Sequence, residues 1–107
     1  MILRPATRSD LIDFYGQLPP MTVRAIVAVN DDKPVGVGGY YLNGGVAVAF
    51  TNQRNMPKRD IVRGARALID MLEPLGMDVF AGAEGDGSVL RHFGFERCGK
   101  AWKLRRI

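Results

Sequence analysis

Residues 46–72, VAVAFTNQRNMPKRDIVRGARALIDML, change from the pattern of a strand to that of a helix across one short turn. Residues 46–51 are β-branched, aromatic and small apolar residues, as in strands. From Pro57 onward, apolar residues recur every three or four positions, which is the spacing of an amphipathic helix. Pro57 suits a first helical turn, and residues 74–76 predict where the helix ends. The predicted apolar face consists of Ile61, Ala65, Leu68, Ile69 and Leu72.

A short strand and a capped helix are predicted at the start of the chain. Residues 2–5 have the pattern of a strand. Thr7 and Asp10 have the spacing of a capping box, in which the hydroxyl and the carboxylate bind free amides of a starting helix. Pro19 and Pro20 predict the end of this helix, because proline lacks the amide that a helix needs. The predicted apolar face consists of Leu11, Ile12, Tyr15 and Leu18.

Three consecutive antiparallel strands are predicted next. Residues 23–29 and 34–42 are rich in β-branched and small apolar residues, and residues 30–33 between them favour a turn. Residues 43–45, Asn-Gly-Gly, tolerate positive φ and predict a second turn before residues 46–51. The three strands therefore form a continuous meander.

Shorter elements are predicted after the long helix. Residues 77–83 have the pattern of a buried strand, and residues 89–93 that of a short helix closed by Gly94. Residues 95–98 and 101–105 then form a hairpin. The resulting order, β α β β β α β α β β, predicts an α+β sandwich. A mixed, mostly antiparallel sheet of about six to seven strands is flanked by three helices.

The composition fits one domain over residues 1–107, with 47% hydrophobic and 24% charged residues. Cys98 and His92, each single in the chain, exclude an internal disulfide and a closed zinc site, so we expect no metal. Cys98 is expected to be a small core residue. The formal charge of +4 favours an anionic ligand. We expect a cytoplasmic location and no membrane contact, because no apolar run approaches the roughly 20 residues of a membrane helix.

The order of elements and four motifs resemble the GCN5-related N-acetyltransferase (GNAT) family over nearly the whole chain. The motifs are LRPATRSDL at residues 3–11, KPVG at residues 33–36, the helix that follows residues 46–51, and LRHFGF at residues 90–95. The family's second helix has no counterpart here. The resemblance implies a GNAT-like sheet and an acetyl-CoA-dependent N-acetyltransferase acting on an unidentified primary amine.

In that family the pyrophosphate of acetyl-CoA lies on amides of the turn between the fourth strand and the next helix, whose motif is Arg/Gln-x-x-Gly-x-Gly/Ala. Helix N-termini suit phosphates because their free amides and the helix dipole favour negative charge. Residues 54–59 here are RNMPKR, in which the arginine matches and the glycines are absent. The resemblance implies that acetyl-CoA lies in the opening between the fourth and fifth strands. The contacts it implies are Phe50, Thr51, Arg54, Lys58, Arg59 and Asp60.

Basic residues are concentrated around the start of the long helix. Arg59, Arg63 and Arg66 have the spacing i, i+4 and i+7, which predicts one stripe beside the apolar face. Positive side chains at a helix N-terminus oppose the helix dipole, which favours a role in binding an anion. Three interpretations stay open for this arginine stripe: binding the phosphates of CoA, binding a nucleic-acid backbone, and a solvated face.

Acetyl transfer needs a base for the amine and an acid for the leaving thiolate. Many members of the family use a tyrosine four residues before the glycine of Gly-Phe as the acid. This position is Leu90 here, which cannot donate a proton. The remaining catalytic candidates are Glu84, at the predicted end of the fifth strand, and Tyr40 and Tyr41 in the third. Strand alternation places only one of these tyrosines on each face of the sheet.

Two other functions stay open. A catalytically inactive GNAT-like binding or structural protein would explain the absent glycines and tyrosine. Such proteins resemble those of phages or prophages, and the location would then be the host cytoplasm or the virion. Nucleic-acid binding lacks a recognisable motif, so we do not expect a nucleic-acid partner. The sequence is compatible with a homodimer.

Overall fold

The computed structural model describes residues 1–82 and 88–104, which form seven strands and three α-helices. The observed order of elements is the predicted one, and the α+β class is confirmed. A short 3-10 helix, Glu73–Leu75, follows the second α-helix. The elements are β1 Ile2–Pro5, α1 Arg8–Tyr15, β2 Arg24–Asn30, β3 Lys33–Asn43, β4 Val46–Gln53, α2 Lys58–Leu72, β5 Val79–Ala81, α3 Ser88–His92, β6 Phe95–Cys98 and β7 Ala101–Leu104.

The seven strands form one sheet in the order β1-β2-β3-β4-β5-β7-β6. Neighbouring strands are antiparallel except β4 and β5, which are parallel. The exception arises because α2 carries the chain from the end of β4 back to the start of β5, and a crossover of this kind makes two strands parallel. The predicted mixed, mostly antiparallel sheet is therefore confirmed.

The turns of the meander use the predicted residues. Asp31 and Asp32, between β2 and β3, have φ values of 51° and 61°. Gly44 and Gly45, between β3 and β4, have φ values of 59° and 85°. Paired residues with positive φ match the twist of two antiparallel strands. The chain therefore builds β2, β3 and β4 as neighbours with short connections.

The helices cover both faces of the sheet. On one face, here called the α1 face, Leu11 and Phe14 of α1 pack against β2 and β3. On the other, the α2 face, Leu68 and Leu72 of α2 and Leu90 of α3 pack against the second half of the sheet. Each face thus has its own hydrophobic core. The buried strand residues of the α2 face are Tyr40, Ala47, Ala49, Val79, Ala81, Phe95, Trp102 and Leu104.

Helix α1 begins at the predicted capping box. The Asp10 amide donates to the Thr7 hydroxyl at 3.2 Å, and the Thr7 amide donates to the Asp10 carboxylate at 2.8 Å. Arg4 of β1 donates to the same carboxylate at 2.9 Å. The hydrogen bond from Arg4, with those from Thr7, holds the pKa of Asp10 well below its ordinary value. This network joins α1 to the edge of the sheet.

The predicted end of α1 at the proline pair is wrong, because Gly16 ends the helix first. Gly16 is left-handed, with φ of 82°, and its amide donates to the Ile12 carbonyl at 2.7 Å. A glycine pays no steric cost for this conformation, which is a common helix end. Leu18 therefore lies beyond the helix, Ile12 is exposed, and Phe14 occupies the buried position.

The elements after α2 largely follow the prediction. β5 covers only three residues of the strand predicted over residues 77–83, whose last residue lies outside the described part of the chain. α3 ends before Gly94, which has the predicted left-handed conformation with φ of 92°. β6 and β7 pair as the predicted hairpin. Residue 105 of that prediction also lies outside the described residues.

Candidate functional site at the end of strand β4

Strands β4 and β5 pair over only a short distance. Their ladder consists of Ala47 with Val79, Val48 with Phe80 and Ala49 with Ala81. Strand β4 continues to Gln53 and stays paired with β3 throughout. Within the described residues, therefore, residues 50–53 are paired with a strand on one side only. We call the space on the other side the β4–β5 opening.

The backbone of β4 presents polar groups to this opening. The Ala47 amide donates to the Asp78 carbonyl, on the β5 side, at 2.9 Å. The Arg54 amide donates to the Val35 carbonyl, on the β3 side, at 2.8 Å. Successive residues of a strand direct their backbone groups to opposite sides. The backbone groups of Thr51 and Gln53 therefore point to the opening. Of the two predicted contacts on β4, Thr51 faces the opening, whereas the backbone of Phe50 pairs with β3.

A cavity of about 140 Å³ lies between the α2 face and α2, directly against the opening. Ala49 and Ala81, the last pair of the β4–β5 ladder, line it together with Thr51 and Gly82. None of the described residues that line the cavity carries a charge. The rest of the described lining comes from α2, the α3 region and strands β1 to β4 and β6: Leu3, Ile26, Ala28, Gly36, Val37, Gly38, Phe50, Asn52, Gln53, Met56, Ile61, Gly64, Ala65, Leu68, Ile69, Leu90, Phe93 and Phe95. The β4–β5 opening thus connects the polar backbone groups of β4 with the apolar cavity.

Helix α2 begins at the far end of the opening without a side-chain cap. Pro57 is its N-cap residue, and the Asp60 and Ile61 amides donate to the Pro57 carbonyl at 3.0 and 3.1 Å. The amides of Lys58 and Arg59 belong to the first turn and have no acceptor within the helix. Two donors and two positive side chains therefore lie at the end of β4, where the resemblance places the phosphates.

Arg54 is engaged elsewhere. Its guanidinium lies over the ring of Phe14, 4.3 Å from the centroid, and donates to the Phe14 carbonyl in the last turn of α1. A positive group at this end of a helix binds a free carbonyl and complements the helix dipole. The structure therefore places the Arg54 side chain on α1, and not beside the start of α2.

A second contact joins the end of β4 to α1. The Tyr15 hydroxyl donates to the Asn52 side-chain carbonyl at 2.7 Å. Burial raises the pKa of Tyr15 above its ordinary value. Together with Arg54, this contact anchors the outer end of β4 on the α1 face. Sequence reasoning missed both contacts because the partners lie in separate elements.

The arginine stripe lies on the solvent side of α2. At about 100° per residue, Arg59, Arg63 and Arg66 fall opposite Leu68 and Leu72 on the helix surface, and all three are exposed. The three side chains form one stripe, and it borders the predicted apolar face where Arg66 and Ile69 are neighbours one turn apart. None of these arginines forms an ion pair with a described acidic residue. Arg63 and Arg66 lie about one and two turns farther along α2 than Arg59. This leaves Lys58 and Arg59, in the first turn, as the basic residues nearest the opening.

The catalytic candidates are distributed between the two faces. Tyr40 is buried in the core of the α2 face, opposite Ala49, with 8% of its surface exposed, and it does not line the cavity. Tyr41 is half-buried on the α1 face, so the predicted alternation is confirmed. Glu84 lies outside the described residues. Leu90 lines the cavity, where it contributes only apolar surface.

The single cysteine does not occupy the position expected from the sequence. Cys98 is exposed, so its expected core position is wrong; it ends the edge strand β6 next to the Gly99 turn.

Within residues 1–82 and 88–104, no group of three His, Cys, Asp or Glu side chains could hold a metal ion. No helix in that part of the chain is long and apolar enough to cross a membrane. Asp60, in the first turn of α2, is half-buried.

Glycines at the cavity are the feature that sequence reasoning undervalued. Gly64 interrupts the apolar pattern of α2, and a glycine inside a helix usually has a packing or functional reason. In the sequence, Gly64 is therefore the signal that points to this cavity.

Comparison of the chain with protein-family models finds no match, and comparison with curated proteins finds none either.

Proposed function

We propose that the chain is an acetyl-CoA-dependent N-acetyltransferase of the GNAT type that acts on a primary amine. One observation carries this proposal. The parallel β4–β5 ladder ends after Ala49 and Ala81, and the opening beyond it runs from an apolar cavity to the uncapped start of α2. An acyl-CoA has the matching sequence of groups: an acyl thioester, an amide-containing arm and phosphates.

The residues present fit this ligand. Thr51 and Gln53 would hold the amides of the arm through their backbone groups, as an added strand would. Lys58 and Arg59 would hold the phosphates through first-turn amides and positive side chains. Pro57 contributes no amide, which leaves this site with fewer donors than the glycine-containing turn of the family. When bound, acetyl-CoA supplies an acetyl group activated as a thioester.

The overall reaction forms an amide C–N bond and breaks the thioester C–S bond. The amine nitrogen loses a proton, and the CoA thiol gains one. Leu90 cannot carry either proton, and Tyr40 is buried outside the cavity wall. The contribution of the described residues is therefore to bind and orient the donor and to exclude water from the apolar end of the site.

A second candidate is a catalytically inactive GNAT-like binding or structural protein, such as one encoded by a phage or prophage. The observations that favour it are Leu90 at the position of the family's acid and the engagement of Arg54 by α1. Both candidates require the same fold. They differ in turnover, because the inactive protein would not acetylate an amine.

Titration calorimetry of the purified chain with acetyl-CoA and CoA tests the proposal. We expect binding, and an upward shift of the melting temperature that grows with ligand concentration. Replacing Lys58 and Arg59 together by alanine should weaken binding about tenfold, because two charge-assisted contacts are lost. The matched control replaces Arg63 and Arg66, which face solvent on the same helix, and should change affinity less than about twofold at moderate salt.

Three outcomes would contradict the proposal. Absence of binding at millimolar acetyl-CoA would exclude the cofactor site altogether. Equal losses in the two double variants would mean that the net charge of α2, and not its first turn, attracts the ligand. Binding without acetylation of any amine in a broad screen would favour the inactive protein over the enzyme.

A further inference from the structure

We infer that the acyl group carried by this protein's donor is a chain of about six carbons, and that the cavity beneath α2 holds it. This inference rests on the proposed function, because it concerns the donor of the same site. It refines the donor class: the site should bind a medium-length acyl thioester of CoA more tightly than acetyl-CoA. Three properties of the cavity support it: its volume, the chemistry of its wall and the glycine that keeps it open.

The volume is larger than an acetyl group requires. The cavity measures about 140 Å³, close to an apolar cavity of about 150 Å³ that stays dry and binds benzene in another protein. Benzene contains six carbons, whereas the acetyl group contains two. An acetyl group would occupy only a small part of this space.

The wall matches a hydrocarbon chain. No charged side chain belongs to the described lining, and polar residues are confined to the end formed by β4, namely Thr51, Asn52 and Gln53. Ala49 and Ala81, where the β4–β5 ladder ends, belong to the lining, so the cavity borders the β4–β5 opening. A chain that enters there passes from polar backbone groups at its thioester to apolar surface beyond them.

Gly64 keeps the cavity open. It lies in the interior of α2, four residues before the buried Leu68 and therefore on the same helix face. A Cβ atom at this position would meet no other atom within 4 Å. A glycine is disfavoured in the interior of a helix. The position thus combines an unfavourable residue for the helix with open space next to its Cα, at a residue that lines the cavity.

Calorimetric titrations of the whole chain with CoA, acetyl-CoA and hexanoyl-CoA test the inference. Each buried methylene raises affinity about fourfold, so four additional methylenes should make hexanoyl-CoA bind at least tenfold more tightly than acetyl-CoA. Gly64→Leu should remove this preference, because the leucine side chain fills the space. CoA should bind this variant and the natural chain with the same affinity.

Gly64→Ala is the matched control. It adds a single methyl group at the same position and should keep most of the preference for hexanoyl-CoA. Both substitutions improve the helix propensity of α2, so we expect both variants to melt above the natural chain. A melting curve of each variant separates a blocked cavity from a damaged fold.

The outcomes distinguish this inference from the proposed function. If acetyl-CoA and hexanoyl-CoA bind equally, or if Gly64→Leu keeps the preference, the inference is overturned while the cofactor site stands. If none of the three ligands binds, the proposed function fails and the inference fails with it. A preference for hexanoyl-CoA that Gly64→Leu removes and Gly64→Ala retains supports the inference.

Discussion

The two faces of the sheet differ in how their helices are fixed. On the α1 face, an eight-residue helix has a capping box at its start, a left-handed glycine at its end and Arg54 on its last turn. On the α2 face, a fifteen-residue helix starts without a side-chain cap and has a glycine in its interior and a cavity beneath it. The short helix is thus held by specific contacts at both ends, and the long one by its apolar stripe.

The contacts on the α1 face stabilise the fold, whereas the α2 face leaves space for a ligand. Contacts that fix α1 also anchor the outer end of β4, through Arg54 and Asn52. The opposite side of the same strand borders the β4–β5 opening and the cavity. The α1 face therefore provides a rigid support, and the α2 face keeps open the space that a ligand needs. Substitutions on the two faces should have different consequences for unfolding.

The largest expected effect is that of Phe14→Ala. Phe14 is 4% exposed, packs in the core of the α1 face and carries the Arg54 guanidinium on its ring. Truncating a buried phenylalanine costs about 3–5 kcal/mol. Leu90→Ala, at the cavity wall, should cost only about 1–2 kcal/mol, because Leu90 is half-buried and already borders empty space. Urea unfolding of both variants measures the difference. Equal losses would show that the two faces are packed to the same extent.

Two glycines give the next contrast. A Cβ atom at Gly39 would lie 2.3 Å from the Arg24 carbonyl oxygen and 2.8 Å from Ala25 Cα. Because both are backbone atoms, Gly39→Ala should destabilise the fold by about 3 kcal/mol. Gly64→Ala should instead stabilise it by about 1 kcal/mol, through helix propensity alone. Thermal and urea unfolding of the two variants check these opposite signs. A loss of stability in Gly64→Ala would contradict the empty space assigned to that position.

A smaller effect is expected for Asp10→Ala, and it should depend on pH. At neutral pH the loss of the capping box and of the Arg4 contact costs about 1–2 kcal/mol. The pKa of Asp10 in the folded chain lies below its ordinary value. At pH values between the folded and the unfolded pKa of Asp10, the unfolded chain therefore binds more protons than the folded chain. The stabilisation by the Asp10 carboxylate is complete above about pH 4 and declines at lower pH.

Melting temperatures of the natural chain and Asp10→Ala, measured from pH 7 to pH 2, test this dependence. The difference between the two proteins should be constant down to about pH 4 and should shrink below it. A difference that stays unchanged at pH 2 would mean that the carboxylate charge does not stabilise the start of α1.

Local signals made most of the fold predictable. The capping box at Thr7 and Asp10 was found because its partners lie three residues apart. The turns at Asp31 and Gly44 were found because their residue types tolerate positive φ. The predicted end of α1 lies too far along the chain, because the prediction rests on the proline pair and not on Gly16. That glycine decides the end through its own left-handed conformation.

The candidate site was predictable only in outline. Its position after the fourth strand is what the resemblance to the GNAT family implies, whereas the Arg54–Phe14 contact joins residues forty positions apart. The cavity depends on how α2, the α3 region and strands β1 to β6 meet, which no single stretch of sequence encodes. The stripe formed by Arg59, Arg63 and Arg66 was placed correctly on one side of the helix. The direction in which the arginine stripe faces depends on which residues of α2 are buried against the sheet.

The order of strands has a consequence for folding. Strands β1 to β4 lie beside their neighbours in sequence, whereas β7 lies between β5 and β6. The first part of the sheet can therefore form from local hairpins, which fold quickly. The second part of the sheet is complete only when residues 101–104, which are synthesised after β5 and β6, pair with both of these strands. During synthesis, we expect β5 and β6 to stay apart until the hairpin partner of β6 has left the ribosome and filled the gap.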